Sequence, residues 1–455
     1  MVVLVDADLV DAPASGPDTR TASQQLLAEL LMLDALTVYR YADDGPPAGT
    51  QSSSTPFGTV SPGWAVVTQH APQHWDVVYG TAETRTHSAV RGEAVDFDAV
   101  DSHTTAYNDL SAVDAGARRR ADRLAAQVAD QAVQADVFIT ERPYLHEATW
   151  PVARDTALCN VDEALALIGL YLRVQGVYSI SHNNEFNRGL FTWVATRELL
   201  PSAWRWFTGI VRSASATHDD PLMILGGSML PRFERALVAR DAILVALNQP
   251  QDNDVRDDAL SALDDVAYRL MGAFDVLARV AHRVCGLSGK ERYAGWQSPS
   301  WLNNLAATAP DLADVMLPDK QGAKVLTIVR LLRNTIHGEA LQGMHVQKSG
   351  KPARSLVALN AEDEAEILNA MDALGGRARW GVEELLPGRF HVAPGVLVEE
   401  MFVEVIPLLN ELMDLTPIEL LPDANVTAAD SDPPAGGDSP FNEAWRFSIR
   451  KQYGF

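Results

Sequence analysis

The chain has 455 residues, of which 47% are hydrophobic and 21% are charged. This length is enough for two or three domains of about 150 residues each. Lysine and arginine number 37 against 60 aspartates and glutamates, which gives a net charge of −23. Such an excess of acid opposes binding of nucleic acid or of an anionic membrane through overall charge. Any contact with nucleic acid therefore needs a local cluster of cations.

Cysteine content and hydrophobicity indicate the cellular compartment. The chain has two cysteines, Cys159 and Cys285, too few for a disulfide framework or a Cys-rich zinc site. No run of about 18 apolar, uncharged residues occurs, which argues against a transmembrane helix. Segment 1–8 lacks cations and contains two acids, unlike a secretory signal. We therefore expect a cytoplasmic protein that does not contact membranes.

The first 185 residues alternate between helix and strand signals. Residues 1–60 are predicted to form a helix, at 24–36, and part of a loop rich in Pro, Gly, Ser and Thr, at 45–63. Beyond them, short β-branched and aromatic segments predict strands, and longer periodic segments predict helices. The predicted strands are 64–68, 75–79 and 135–140, with room for a hairpin at 84–97, and the predicted helices are 110–133 and 161–174. We expect 61–185 to form a small α/β domain.

The second half of the chain is predicted to be helical. In segment 260–284 the apolar residues recur at alternating spacings of three and four, which is typical of a packed helix. Further helices are predicted at 233–247, 324–341, 361–374 and 396–415. We expect 190–422 to form a helical domain and 423–455 a linker and tail. The predicted fold class is mainly α, with a small N-terminal α/β unit followed by a helical bundle.

Candidate catalytic residues lie on the helix predicted at 324–341. At about 100° per residue, Arg330, Arg333, Asn334 and His337 fall on one polar edge beside an apolar face. Guanidinium groups bind a phosphate bidentately, and a histidine can take a proton from a 2′-hydroxyl or give one to a leaving oxygen. These groups suit phosphodiester cleavage without a metal or other cofactor. The alternative is a plain helix C-terminus, with cations at the negative end of the dipole and Gly338 as the cap.

Segment 332–338, preceded by a long helix that contains 274–279, resembles the HEPN superfamily. Members are helical bundles with an Arg, often followed by Asn, and then a His after four to six intervening residues. Arg330 and His337 have six residues between them, whereas Arg333, which is followed by Asn334, is separated from His337 by three. The sequence therefore splits the family pattern between two arginines.

The resemblance covers about 230–420 and has functional implications. Many HEPN proteins are metal-independent endoribonucleases that place two copies of the motif at a homodimer interface. Other members are inactive sensors or scaffolds. The resemblance therefore implies an RNA-cleaving homodimer, acting as a toxin or antiviral defence effector, with no cofactor. Its RNA target, and any antitoxin or defence partner, are not encoded in the pattern.

Two further groups of residues fit this interpretation. Asp275, Arg279 and His282 follow a helical spacing of i, i+4 and i+7, so that they could orient the Arg/His cluster, or form only an intrahelical ion pair. Segment 345–354 is predicted to be a hairpin tip, with the cations Lys348, Lys351 and Arg354. This group is a candidate RNA-binding patch, and the alternative is a solvated turn.

The α/β region offers a second chemistry. Polar residues flank the strand predicted at 135–140: Asp136 lies at its start, and Thr140, Glu141 and Arg142 lie at its end or directly after it. The segment around 135–145 has a faint similarity to PIN-like nucleases. The acids Asp96, Asp98 and Asp101 precede them. The similarity implies a carboxylate site for Mg²⁺, and the alternative is a set of ordinary loop acids. The two remaining hypotheses are thus a metal-dependent nuclease and a non-catalytic protein whose helical domain only dimerises.

Overall fold

Contacts within the chain divide it into two units. In the computed structural model, the first unit comprises 1–189 and 447–455, and the second comprises 190–446. The structure describes 1–11, 17–42, 53–55, 58–60, 63–71, 74–80, 85–91, 105–147, 156–181, 184–250, 252–338, 341–346, 354–433 and 441–455.

The first unit is built around a seven-stranded sheet with the order β7-β6-β5-β2-β1-β8-β9. Five neighbouring strands, from β5 to β9 in that order, are parallel, and β6 and β7 extend the sheet as antiparallel strands. Two further antiparallel pairs, β3 with β4 and β10 with β11, lie outside this sheet. The strands are β1 Val2–Asp6, β2 Thr37–Ala42, β3 Ser53–Thr55, β4 Gly58–Val60, β5 Gly63–Ala71, β6 His74–Gly80, β7 Arg85–Arg91, β8 Val137–Ile139, β9 Ala157–Cys159, β10 Tyr178–Ser181 and β11 Asn184–Phe186.

Helices cover both faces of the sheet. Alternate side chains of a strand point to opposite faces, so that one strand contributes to two cores. Val3 and Val5 of β1 belong to a core with helices α2 and α5, whereas Leu4 belongs to a core with helix α3. Helices α2 and α5 each begin with a capping box, which satisfies their first backbone N–H groups. The helices are α1 Ala7–Val10, α2 Ala22–Leu30, α3 Ala112–Gln127, continued by a π-helix at Val128–Val133, α4 Pro143–Glu147 and α5 Val161–Val174.

The second unit packs its helices around one long member. The apolar seam predicted in 260–284 is confirmed, because all of its residues are buried in the 32-residue helix α10. The seam consists of Leu260, Leu263, Ala267, Leu270, Phe274, Leu277, Ala281 and Val284. Helices α9, α13 and α15 pack against α10. The helices are α6 Arg188–Leu199, α7 Ala203–Thr217, α8 Asp220–Gly227, α9 Met229–Leu247, α10 Asn253–Val284, α11 Pro299–Ala306, α12 Pro310–Asp314, α13 Gln321–Gly338, α14 Glu364–Ala373 and α15 Pro394–Leu415. The last helix, α16 Glu443–Tyr453, begins in this unit and ends in the first.

A four-stranded antiparallel sheet, with the order β12-β13-β15-β14, also belongs to the second unit. Its strands are β12 Gln342–Val346, β13 Arg354–Ala358, β14 Val382–Leu386 and β15 Arg389–Val392. The predicted hairpin around 345–354 is therefore present in its two strands, although its tip, 347–353, lies outside the described residues. The domain expected at 190–422 is therefore not purely helical, because it contains this sheet as well as its helices. In the described part of the chain, no helix is long and apolar enough to cross a lipid bilayer.

Two predicted boundaries differ from the structure. Residues 1–60 were expected to hold a helix and a loop, but β1 and β2 within them are central strands of the sheet. The apolar run 2–5 is only four residues long, and a parallel strand is buried on both faces, so it lacks the polar alternation that marks an exposed strand. The tail 423–455 is not a separate element, because Phe447–Phe455 belongs to the first unit.

The C-terminal helix α16 is tied to helix α5 and strand β10. The Arg173 guanidinium donates to the backbone oxygen of Gln452 at 2.8 Å, and the Gln452 amide donates to the backbone oxygen of Ser179 at 2.9 Å. Gly169 allows this approach, because a Cβ there would lie 2.6 Å from the Gln452 oxygen. The glycine is therefore a packing requirement.

We expect Gly169→Ala to loosen this contact. The added methyl group would meet backbone as well as side-chain atoms, and such overpacking costs about 1–3 kcal/mol of unfolding free energy. Thermal unfolding should show a lower Tm, and limited trypsin digestion should cut the tail faster. The matched control is Gly116→Ala in α3, where the added Cβ meets only the flexible end of Arg120 at 3.3 Å. That helix position should gain about 0.5–1 kcal/mol, and an equal gain at Gly169 would contradict the packing argument.

Candidate functional site

Three arginines from three helices of the second unit line one small cavity. Arg232 comes from α9, Arg279 from α10 and Arg333 from α13, and the carboxyl group of Asp275 lies among them. The cavity has a volume of about 140 Å³. We call it the basic cavity. It joins the predicted catalytic residue Arg333 to the predicted orienting residues Asp275 and Arg279.

Helical periodicity explains how α10 contributes to this cavity. Tyr268, Gly272, Asp275 and Arg279 all line it and follow one another at spacings of four, three and four. Residues with this spacing share one face of a helix. This face lies beside the apolar seam, so burying the seam against the other helices also fixes the position of the polar face.

Gly272 makes room for Arg232. A Cβ on Gly272 would lie 2.4 Å from the Nη1 atom of Arg232, so the guanidinium group rests directly on the backbone of α10. The Nε atom of Arg232 is buried and forms no hydrogen bond with any residue that the structure describes. A buried N–H group without a partner is costly. An oxygen of a bound anion would satisfy it.

The charges of the basic cavity favour an anion. Burial raises the pKa of Asp275, and this effect outweighs the lowering by Arg279, Arg333 and Arg232. Ionised or not, one carboxyl group cannot neutralise three guanidinium groups. The cavity therefore remains cationic in a chain with a net charge of −23.

Other residues of the predicted catalytic set have different surroundings. Arg330 forms an ion pair with Glu366 at 2.9 Å and does not line the basic cavity. Asn334 accepts a hydrogen bond from Arg333 at 3.3 Å, one residue away. The backbone of His337 continues α13, but its side chain lies outside the described residues. The structure thus associates Arg333, rather than Arg330, with the cluster.

Two further expectations need correction. His282 does not orient the cluster, because it is buried and receives a hydrogen bond from the Trp301 indole at 3.2 Å. Arg354 is not an available RNA-binding cation, because both ends of its guanidinium group are paired with the Glu383 carboxylate. Lys348 and Lys351 lie outside the described residues.

The first unit has a larger cleft, of about 790 Å³, at the carboxyl ends of β1, β2 and β8. Strand β1 pairs with β2 on one side and with β8 on the other, so the chain order reverses direction at β1. Such switch points are the usual ligand sites of open α/β sheets. We call it the acidic cleft, because its charged residues are mostly acids: Asp6, Asp8, Asp109, Asp122 and Glu141, with Arg118 and Arg142.

Arg142 pairs with both buried carboxylates of the acidic cleft. Its Nε atom lies 3.2 Å from both oxygens of Asp6, and its Nη1 atom lies 3.1 Å from Asp122. The hydroxyl group of Thr140 also donates to Asp6, and that of Tyr107 donates to Asp122. Burial nevertheless raises the pKa of Asp6 to about 6.

This arrangement does not fit a resident divalent cation. The guanidinium of Arg142 already binds Asp6 and Asp122, and Glu141 accepts a hydrogen bond from the backbone N–H of Val161 at 3.0 Å. Within the described ranges, no three His, Cys, Asp or Glu side chains are grouped so that they could hold a metal ion. Arg142 supplies the positive charge that a cation would otherwise supply.

The acids predicted for a metal site are not those of the cleft. Asp136 precedes β8, at the opposite end of the strand, where its carboxylate accepts a hydrogen bond from the backbone N–H of Val2 at 2.7 Å. Asp96, Asp98 and Asp101 lie outside the described residues. Asp6 was missed, although an acid directly after the buried run 2–5 is the signal that could have indicated it.

We expect the stability of the first unit to report the raised pKa of Asp6. A carboxyl whose pKa rises from 3.8 to about 6 on folding stabilises the folded state at low pH. That contribution is lost as the pH rises through about 4 to 6. Relative to Asp6→Asn, the wild-type free energy of unfolding should fall by about 3 kcal/mol between pH 3 and pH 7. Urea unfolding of both full-length chains over this range measures the difference.

The control for this prediction is Asp8→Asn, which removes an exposed carboxylate from the same cleft. Its stability should stay close to that of the wild type at every pH. A constant difference between the wild type and Asp6→Asn would show that folding does not raise the pKa of Asp6.

No protein-family model, curated protein or solved structure matches this chain. The functional interpretation therefore rests on the residues and the geometry of the two sites.

Proposed function

We propose that the chain is a metal-independent endoribonuclease of the HEPN type, with its site at the basic cavity. The observation that carries this proposal is the convergence of Arg232, Arg279 and Arg333 on one cavity. Three guanidinium groups around a cavity of about 140 Å³ suit a phosphate group in size and charge. Three guanidinium groups around one cavity repel one another, and a bound anion would offset this repulsion.

The chemistry follows from the residue types. The arginines bind the non-bridging oxygens of a phosphodiester and stabilise the negative charge that develops on them. His337 takes the proton of the 2′-hydroxyl group, whose oxygen then attacks phosphorus. The bond from phosphorus to the 5′-oxygen breaks, and the protonated His337 gives its proton to this oxygen. The products are a 2′,3′-cyclic phosphate and a 5′-hydroxyl group.

The same proposal assigns the catalytic arginine. Arg333 and His337 are four residues apart in α13, a spacing that places two positions on one face of a helix, one turn apart. Arg330 is held by Glu366 instead. The pair that functions is therefore Arg333 with His337, and Asn334 follows this arginine as it does in the HEPN pattern.

Assembly is part of the proposal. Each chain supplies one histidine of this motif, and the HEPN resemblance implies that two copies of the motif face each other in a symmetric homodimer. The RNA substrate and a defence or toxin role in the cytoplasm follow from the same resemblance. Light scattering should give a dimer mass, and a monomer at every concentration would contradict the shared site.

A non-catalytic sensor is the second candidate function, and the acidic cleft favours it. A volume of about 790 Å³ falls in the usual range for small-molecule sites. In this function the first unit binds a ligand and the second unit only dimerises. The two candidates differ in one observable property, which is cleavage of RNA by the purified chain.

The test compares two neighbouring arginines of the same helix. Arg333→Ala removes a guanidinium group from the basic cavity and should lower the rate of RNA cleavage by at least 100-fold. Arg330→Ala removes an ion pair with an exposed carboxylate outside the basic cavity and should change the rate by less than about threefold. Cleavage of a mixed RNA pool by the full-length proteins, followed on denaturing gels, measures both.

His337→Ala and a chelator complete this experiment. A folded His337→Ala protein should have no activity, and EDTA should leave the wild-type rate unchanged because no step requires a metal. Absence of cleavage by the wild type would favour the sensor function. Loss of activity in EDTA that Mg²⁺ or Mn²⁺ restores would assign the reaction to a metal-dependent site.

A further inference from the structure

We propose that the ring of Tyr268 stacks on an unpaired base of the RNA while the basic cavity holds the adjacent phosphate. This inference rests on the proposed function. It adds a base-binding residue that the sequence motif does not contain.

Tyr268 lies at the edge of the basic cavity. It belongs to the same helical face as Gly272 and Asp275, one and two turns further along α10. Its side chain is 48% exposed, whereas the adjacent seam residues Ala267 and Leu270 are buried. An aromatic ring half-open to solvent beside three arginines can bind an aromatic ligand without any rearrangement of the core.

The size of the cavity determines which part of a nucleotide enters it. A volume of about 140 Å³ is well below the roughly 300 Å³ at which small-molecule sites begin. A phosphate fits, but a whole nucleotide does not. The base attached to a bound phosphate must therefore remain at the rim, which is where Tyr268 lies.

The orientation of the ring is restricted from one side. The guanidinium group of Arg269 lies 5.6 Å from the centre of the Tyr268 ring and is held by Asp265 at 2.9 Å. A restricted ring loses less conformational entropy when a base stacks on it. Stacking also adds affinity that does not depend on charge, which matters because the rest of the acidic chain repels RNA.

Stacking distinguishes single strands from duplexes. In an RNA duplex the faces of the bases are covered by their neighbours, so Tyr268 cannot reach them. In a single strand a base can turn outward onto an aromatic ring. The arginines contact phosphates, which both forms present. The geometry thus predicts that removing the ring weakens binding of single strands only.

The first experiment measures binding without cleavage. Fluorescein-labelled twelve-nucleotide single-stranded RNA and a twelve-base-pair RNA duplex are titrated with the full-length His337→Ala protein, followed by anisotropy. Adding Tyr268→Ala should weaken single-strand binding about tenfold and leave duplex binding unchanged. Tyr268→Phe should retain the affinity, whereas Tyr268→Leu, which is apolar but lacks an aromatic face, should lose it. Equal affinities of all four proteins for the single strand would overturn the proposal.

The second experiment tests the phosphate contact at Gly272. In Gly272→Ala the new methyl group displaces the flexible end of Arg232, so the fold should persist while one cation leaves the cavity. The slope of log Kd against log salt for single-stranded RNA should decrease by about 0.7, the value for one phosphate contact. The control is Gly227→Ala in α8, where the nearest atom, on Phe207, lies at 3.8 Å. An unchanged slope in Gly272→Ala would show that Arg232 does not contact the RNA.

These measurements separate the two proposals. A protein that binds single strands through Tyr268 but never cleaves them would contradict the nuclease and retain the binding site. A protein that cleaves RNA with undiminished affinity after Tyr268→Ala would retain the nuclease and contradict the stacking role.

Discussion

The burial of one face of α10 is the constraint on which the second unit depends. The seam from Leu260 to Val284 lies entirely in the core, and α9, α13 and α15 pack around it. A helix fixed along one face has no freedom to rotate. Its neighbouring polar face is therefore presented at one defined position, where Arg232 and Arg333 arrive from other helices. Hydrophobic packing thus creates the electrostatic site.

The two sites of the chain have an excess of charge of opposite sign. In the acidic cleft, Arg142 bridges the buried carboxylates of Asp6 and Asp122 and offsets part of their negative charge. In the basic cavity, Asp275 compensates the arginines only in part. An excess of charge of one sign is stabilised by a ligand of the opposite sign. The basic cavity, which has the excess of positive charge, is therefore the site that suits a phosphate group.

Periodicity predicted the elements better than the sites. The helix at 161–174 and the buried strand around 137–139 have the expected positions, because each carries a complete local signal. The strand at Val2–Asp6 was missed, because a short continuous apolar run fits a buried helix segment as well as a strand. The sequence placed Arg330 and Arg333 on the same polar edge, because they are less than one helical turn apart. The structure distinguishes them, because Arg330 forms an ion pair with Glu366 whereas Arg333 lines the basic cavity. Arg232 belongs to another helix, so no local pattern could assign it to the cavity.

The return of Phe447–Phe455 to the first unit has a consequence for biosynthesis. A ribosome that adds about 5–20 residues per second needs roughly 13–50 s to make the intervening 190–446. During that time the surface of α5 and β10 that receives α16 has no cover. The second unit, in contrast, is continuous and can fold while the chain is still being made. The first unit is therefore completed only after the second unit has been synthesised, although most of its residues are made first.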